Sequence, residues 1–112
     1  MRFRAVIMLA AVLGAPLLAG GAISAVQADP AGINIDNFSF APGALVIATG
    51  TRVTWTNRDD IPHTVTDAAG QRAFKSSPLD TGDAFSYTFS KPGTYHYFCS
   101  LHPRMEGTVV VN

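Results

Sequence analysis

One cysteine, Cys99, is all the thiol that this 112-residue chain has. A lone cysteine forms no disulfide within its chain, so the stapled frameworks common among small exported domains are excluded. Charge is sparse as well: Asp, Glu, Lys and Arg make up 14% of the residues, and no cluster of Lys and Arg is present. Phosphate binding needs such a cluster, so nucleic acid is excluded as a partner, and an anionic lipid surface finds no basic patch either. Methionine is nearly missing past the first ten residues, where Met105 is the only one. No internal repeat, low-complexity tract or second domain is visible, and no stretch after residue 30 reads convincingly as a helix.

What looks at first like a long apolar run is a short one. Ala5 to Val26 is uncharged, close to the roughly 20 residues a spanning helix needs. Gly14, Pro16, Gly20 and Gly21 interrupt it, and no basic residues follow to stop transfer. Two arginines ahead of it and the small residues of Val26-x-Ala28 behind it complete the layout of a secretory signal peptide, residues 1–28. The expectation is therefore export, to the periplasm or beyond, with cleavage rather than retention as an anchor and no stable membrane insertion afterwards. Residues 29–112 then form one domain, whose six basic and eight acidic side chains give it a slightly acidic balance. In an oxidising compartment its odd thiol must be buried, paired between chains, or held by a metal, and a metal would also add stability that so small a core lacks.

From residue 33 onward apolar residues alternate with polar ones in short runs. Phe38 and Phe40 do so in NFSFAP, Val53 and Trp55 in RVTWTN, Phe85, Tyr87 and Phe89 in AFSYTFS, and Tyr95, Tyr97 and Cys99 in TYHYFC. Period two predicts strands, each set lining one face. Turn chemistry at Pro42-Gly43, Thr49-Gly50, Asn57 to Pro62, Ala69-Gly70, Pro78 to Gly82 and Lys91 to Gly93 separates them. Strands are expected near 33–40, 44–48, 51–57, 63–67, 84–90, 94–99 and 106–111, with an irregular crossing at 68–83. About seven short strands without a convincing helix predict an all-β fold, an antiparallel sandwich or small barrel. Alternation places Cys99 on the core side, at the end of its strand and just before a turn containing Pro103.

Taken singly, a buried Cys is a small core hydrophobe, a lone His is surface or core filling, and Met105 fills a gap. The pattern Cys99-x-x-His102-x-x-Met105 changes that reading, because it puts three donors at equal intervals in one turn. His63, at the start of HTVTD, reaches them if its strand neighbours that of Cys99, since adjacent strands lie about 4.8 Å apart. Two imidazoles, a thiolate and a weak thioether describe a blue-copper electron-transfer site. Zinc is the competitor, but its structural sites take four strong ligands and a thioether is a poor fourth. His96 lies three positions before Cys99 and points to the opposite face.

Over essentially the whole of residues 29–112 the sequence resembles the cupredoxins, and within them the amicyanin-like branch beside the plastocyanin-like one. IDNFSFAP, VTWTN, PHTV and GTYHYFCSLHPRM carry the resemblance, above all the short C-x2-H-x2-M spacing. It implies an antiparallel Greek-key β-sandwich, cupredoxin-like, holding one type 1 copper ion, with Cys99 as thiolate ligand, His63 and His102 as imidazole ligands and Met105 as axial thioether. It also implies that Asn57 ties the two ligand-bearing loops together. The implied function is a one-electron Cu(I)/Cu(II) shuttle between redox proteins, a carrier and not an enzyme, expected as a monomer. Ile61, Pro62, Leu101 and Pro103 would surround His102 with apolar docking surface, and Arg58, Arg104, Asp59 and Asp60 would add charge selection. Arg104 stands where that branch continues its apolar patch, so its partner, an amine dehydrogenase, is not carried over. The alternative is a copper-binding protein that delivers Cu(I) through the same ligands. A cysteine hydrolase built on Cys99 is weaker, since nothing in the sequence suggests an oxyanion hole.

Overall fold

The computed structural model describes residues 25–112. Among the described residues there are eight strands: β1 (Ala31–Asp36), β2 (Ser39–Ala41), β3 (Ala44–Ile47), β4 (Arg52–Asn57), β5 (Thr66–Asp67), β6 (Ala84–Thr88), β7 (Gly93–Cys99) and β8 (His102–Val111). They form two four-stranded sheets, ordered β2-β1-β4-β6 and β3-β8-β7-β5. The signal-peptide reading of residues 1–28 falls almost wholly outside the described residues. Just inside them, Gln27 bridges to Ile47 and donates its N–H to the Val46 carbonyl at 2.8 Å.

Alternation does here what period two requires. Burial reads buried–exposed along β1, and Ile33, Ile35, Val53 and Trp55 face inward from the first sheet. Leu45, Ile47, Tyr97, Cys99, Val109 and Val111 meet them from the second. The fully buried Trp55 sits between Phe74, Phe85, Phe89 and Tyr97, with ring centroids 5.4–6.4 Å away. Phe74 comes from the crossing at 68–83, so that irregular segment is tied into the core by one aromatic ring.

Three features depart from the sequence expectation. The run 33–40 is two strands, because Asn37 (φ 54°) and Phe38 (φ 56°) both turn left-handed between Asp36 and Ser39. Positive φ at both central residues makes a two-residue hairpin of the mirror-image type that matches strand twist. Phe38 therefore leaves the core face that Phe40 occupies and stands 52% exposed. The sheets are also mixed, not wholly antiparallel: β1 runs parallel to β4 and β3 parallel to β8. In each pair the neighbours are separated in sequence by other strands, and alternation along one strand does not report which distant strand it will pair with. Third, β8 starts at His102, so Pro103 lies within a strand and the turn shrinks to Ser100-Leu101. A register shift between Phe98 and Cys99 lets Cys99 pair with His102 across it.

Candidate metal centre

The site sits at one end of the sandwich, where β7 hands over to β8. His63 lies in the segment that leads from β4 of the first sheet to β5 of the second. Its segment is not a continuous strand from 63 to 67, and instead His63 forms an isolated bridge with Leu79. The two exchange backbone hydrogen bonds, His63 N–H to Leu79 O at 3.1 Å and Leu79 N–H to His63 O at 2.7 Å. Only Thr66 and Asp67 then pair with β7. That pairing sets Thr64 beside Cys99 and brings the His63 ring to the sulfur.

Side-chain nitrogens of His63 and His102 and the sulfur of Cys99 all lie within 4.8 Å of one another. Cys99 Sγ stands 3.7 Å from His63 Nδ1 and 3.7 Å from His102 Nδ1. These separations suit a shared ion: with metal–sulfur and metal–nitrogen bonds of about 2.3 and 2.05 Å, donors at trigonal angles stand about 3.8 Å apart. His63 and Cys99 are fully buried and His102 is half-buried. Met105 is buried three residues further along β8 and lines the same surface groove as His102.

His63 and Cys99 are each oriented by a hydrogen bond. Asp59 Oδ2 lies 2.8 Å from His63 Nε2. A carboxylate there assigns the ring proton to Nε2 and leaves the Nδ1 lone pair facing the sulfur. The same carboxylate accepts the Asn37 N–H on Oδ1 at 2.6 Å and the Phe38 N–H on Oδ2 at 2.9 Å. The Phe38 N–H, seconded by Asn37 and by the His63 imidazole, holds the Asp59 carboxyl below the usual carboxylate range, against the burial that pushes it up. Cys99 Sγ accepts the Thr64 N–H at 3.3 Å, as suits a thiolate. Thr64 also binds the opposite loop: its Oγ1 accepts the Ser100 N–H at 2.7 Å and lies 2.8 Å from Ser100 Oγ.

The structure brings His63, Cys99 and His102 together as the sequence spacing suggests, and it keeps His96 away. His96 is exposed on the other face, 3.2 Å from Thr108 Oγ1. Asn57 is buried and hydrogen-bonded, though not as expected. Its Nδ2 donates to Ile61 O and Leu79 O at 2.9 and 2.8 Å, and its Oδ1 accepts the Asp59 N–H at 2.9 Å. It therefore braces the His63 arm, while Thr64 and Ser100 join that arm to the Cys99–His102 loop. Asp59 is no surface charge but a buried ligand-orienting group. A faint signal existed for it, four residues before His63 and two after Asn57, where an Asx turn is natural. Phe38 was missed altogether, since alternation assigned it to the core. Its ring stands edge-on to both imidazoles, 5.6 Å from His63 and 5.2 Å from His102. Around His102, Leu101, Pro62, Pro103 and Arg104 are exposed and Ile61 is half-buried.

Comparison with known proteins agrees with this geometry. Residues 27–112 match the model of the copper binding proteins of the plastocyanin/azurin family. The chain is 38% identical over 109 residues to amicyanin-alpha of Methylorubrum extorquens, covering 92% of each chain. It is 32% identical over 116 residues to the chloroplastic plastocyanin of Oryza sativa subsp. indica, covering 91% of this chain and 72% of the other. Among solved structures, a purple cupredoxin from Nitrosopumilus maritimus superposes with a TM-score of 0.70 at 39% identity, over 73% of this chain and 99% of that one. With a fold, a donor set and a family match over residues 27–112 in agreement, the chain belongs to the plastocyanin/azurin family of copper-binding proteins.

Proposed function

We propose that this protein is an exported electron carrier that holds one type 1 copper ion between His63, Cys99, His102 and Met105. The observation that carries the proposal is the convergence of one sulfur and two imidazole nitrogens, each Nδ1 3.7 Å from Sγ. Copper bound there supplies one-electron chemistry between Cu(I) and Cu(II). The chain's own residues supply rigidity: Asp59 fixes the His63 ring, Thr64 fixes the sulfur, and Ser100 locks the two loops. Four protein donors leave no coordination position for a substrate, which supports a carrier and not an enzyme.

Electrons enter and leave at the half-buried His102, the ligand nearest the surface. Ile61, Pro62, Leu101 and Pro103 surround it with apolar area suited to brief docking of a redox protein to a monomeric carrier, and Arg104 adds one positive charge. Export rests on the signal-peptide pattern of residues 1–28.

The test is an optical titration of the purified domain with Cu(II), then ascorbate, then ferricyanide. The expected result is an intense thiolate-to-copper band that saturates at one equivalent, bleaches on reduction and returns on oxidation. Absence of that band, or copper that only oxidises Cys99, overturns the reading.

A further inference from the structure

The β1–β2 hairpin carries a contradiction that the electron-carrier reading leaves unexplained. Phe38 is bulky, half exposed and left-handed at φ 56°, a conformation in which a non-glycine residue, and an aromatic one above all, is an outlier. Glycine would occupy that position without strain. Outliers of this sort persist where the surroundings over-determine them and where the side chain has a task. The surroundings are plain: one carboxylate, Asp59, takes the N–H groups of Asn37 and Phe38 at 2.6 and 2.9 Å. That carboxylate also holds His63 Nε2 at 2.8 Å. Hairpin and imidazole are thus bound to a single buried group.

The ring's position indicates the task. It meets His63 and His102 edge-on, with interplanar angles of 90° and 86°. Beside it opens a groove of about 470 Å³ lined by Phe38, Leu101, His102, Pro103, Arg104 and Met105. The groove is the approach from solvent to the side of the site where His102 and Met105 lie. Arg104 on its rim attracts small anions toward it.

We propose that Phe38 is a fixed aromatic wall that keeps small exogenous ligands away from the metal, and that Asp59 is the positioning residue that clamps this wall and His63 into one rigid unit. The inference rests on the copper-site reading above. A wall of this kind matters for a carrier, because an added ligand would change the coordination between oxidation states and raise the cost of each transfer.

The experiment uses the full chain and three variants, Phe38→Gly, Phe38→Trp and Asp59→Asn. Phe38→Gly removes the ring and suits the left-handed turn, so the hairpin keeps its shape. Asn keeps one acceptor oxygen and loses the second, which serves Phe38 and His63 together. Copper-loaded protein is titrated with azide and separately with imidazole while the thiolate-to-copper band is followed. Wild type and Phe38→Trp should show no saturable change up to about 100 mM, and Phe38→Gly should bind at least tenfold more tightly than either. In metal-free protein, amide hydrogen exchange at Phe38 should accelerate by at least tenfold in Asp59→Asn relative to wild type.

A Phe38→Gly protein as closed to azide and imidazole as wild type overturns the wall. Unchanged exchange at Phe38 in Asp59→Asn overturns the clamp. A wild-type protein without the blue band overturns the copper-site reading itself, and the exchange measurement, made without metal, then still decides the clamp.

Discussion

Thr64 Oγ1 accepts the backbone N–H of Ser100 at 2.7 Å, across the gap between the two ligand-bearing segments. The same residue gives its own N–H to Cys99 Sγ. Thr64 is buried while Ser100 is exposed, so the hydrogen bond between them is half-buried and the Ser100 N–H turns to water if its acceptor is lost. Thr64→Val keeps the shape and removes the acceptor, leaving that N–H to water. Loss of a half-buried hydrogen bond whose donor can reach water costs about 0.5–1.5 kcal/mol. The expected outcome is a destabilisation of that order in urea unfolding of the metal-free protein, together with a shifted thiolate-to-copper band in the loaded form. A spectrum and a midpoint identical to wild type would show that the loops are held by something else.

Tyr97 makes a different kind of prediction, about alkaline pH. Its ring is buried against Trp55, and neither the Tyr97 hydroxyl nor Trp55 Nε1 has a partner of good hydrogen-bond geometry among the described residues. Burial pushes the phenol up to about 12 from its ordinary value of 10.0, with the Trp55 indole pulling weakly the other way. Below pH 10 both folded and unfolded chains keep this proton, and the group contributes no slope. Between about pH 10 and 12 the unfolded chain releases it and the folded chain does not, so stability falls as pH rises, by up to about 1.4 kcal/mol per pH unit. Tyr97→Phe removes the group that titrates. Urea unfolding at pH 8 and pH 11 should show a smaller alkaline loss in Tyr97→Phe than in wild type, every other titrating group being common to both. Equal losses would mean that the phenol is not protected by burial.

Gly107 faces Tyr97 in the β7–β8 register, and a Cβ placed on it would fall onto the ring carbons and hydroxyl of Tyr97. The Tyr97 side chain has nowhere to go, being 1% exposed and in contact with the Trp55 cluster. Gly107→Ala therefore overpacks the core, at a cost of about 1–3 kcal/mol. For a domain of this size that lowers Tm by on the order of 10 °C. Differential scanning calorimetry checks it, and a Tm within a degree of wild type would show that Tyr97 relaxes freely.

These residues also show where the sequence was readable. Val53, Trp55, Tyr97 and Cys99 lie inward because a strand's faces alternate, and a count of two was enough to find them. Cys99, His102 and Met105 were legible because three uncommon donors fell at equal spacing in one short stretch. His63 was legible only through the family resemblance and the chance of an adjacent strand. Phe38 was misplaced because period two carried on through a turn that needs positive φ, and neither Asn37 nor Phe38 is the glycine that announces one. Its cause lies 21 residues downstream, in the hydrogen bond to Asp59, and no local pattern reports a contact at that range. The same holds for the parallel pairings β1–β4 and β3–β8, which depend on which edge each crossover returns to. Asn57 was recognised, yet its partners Ile61 and Leu79 belong to one arm of the site.

The two imidazoles are held unequally, and metal removal should reveal it. His63 is fixed by its backbone exchange with Leu79 and by Asp59 on Nε2. The His102 side chain has a single hydrogen-bond-range contact among the described residues, the sulfur of Cys99 at 3.7 Å, and otherwise meets the rings of Phe38 and His63. Its neighbour Leu101 is 48% exposed. A bound ion thus contributes little to the position of His63 and much to that of His102, and binding energy that orders a segment appears as protection of that segment. Hydrogen exchange compared between the Cu(I)-loaded and metal-free protein should show large changes at Leu101 and His102, at least tenfold, and small ones at His63 and Val65. If His63 loosened as much as His102, the Asp59 and Leu79 contacts would not be what orients it, and the metal itself would be the organising element of both arms.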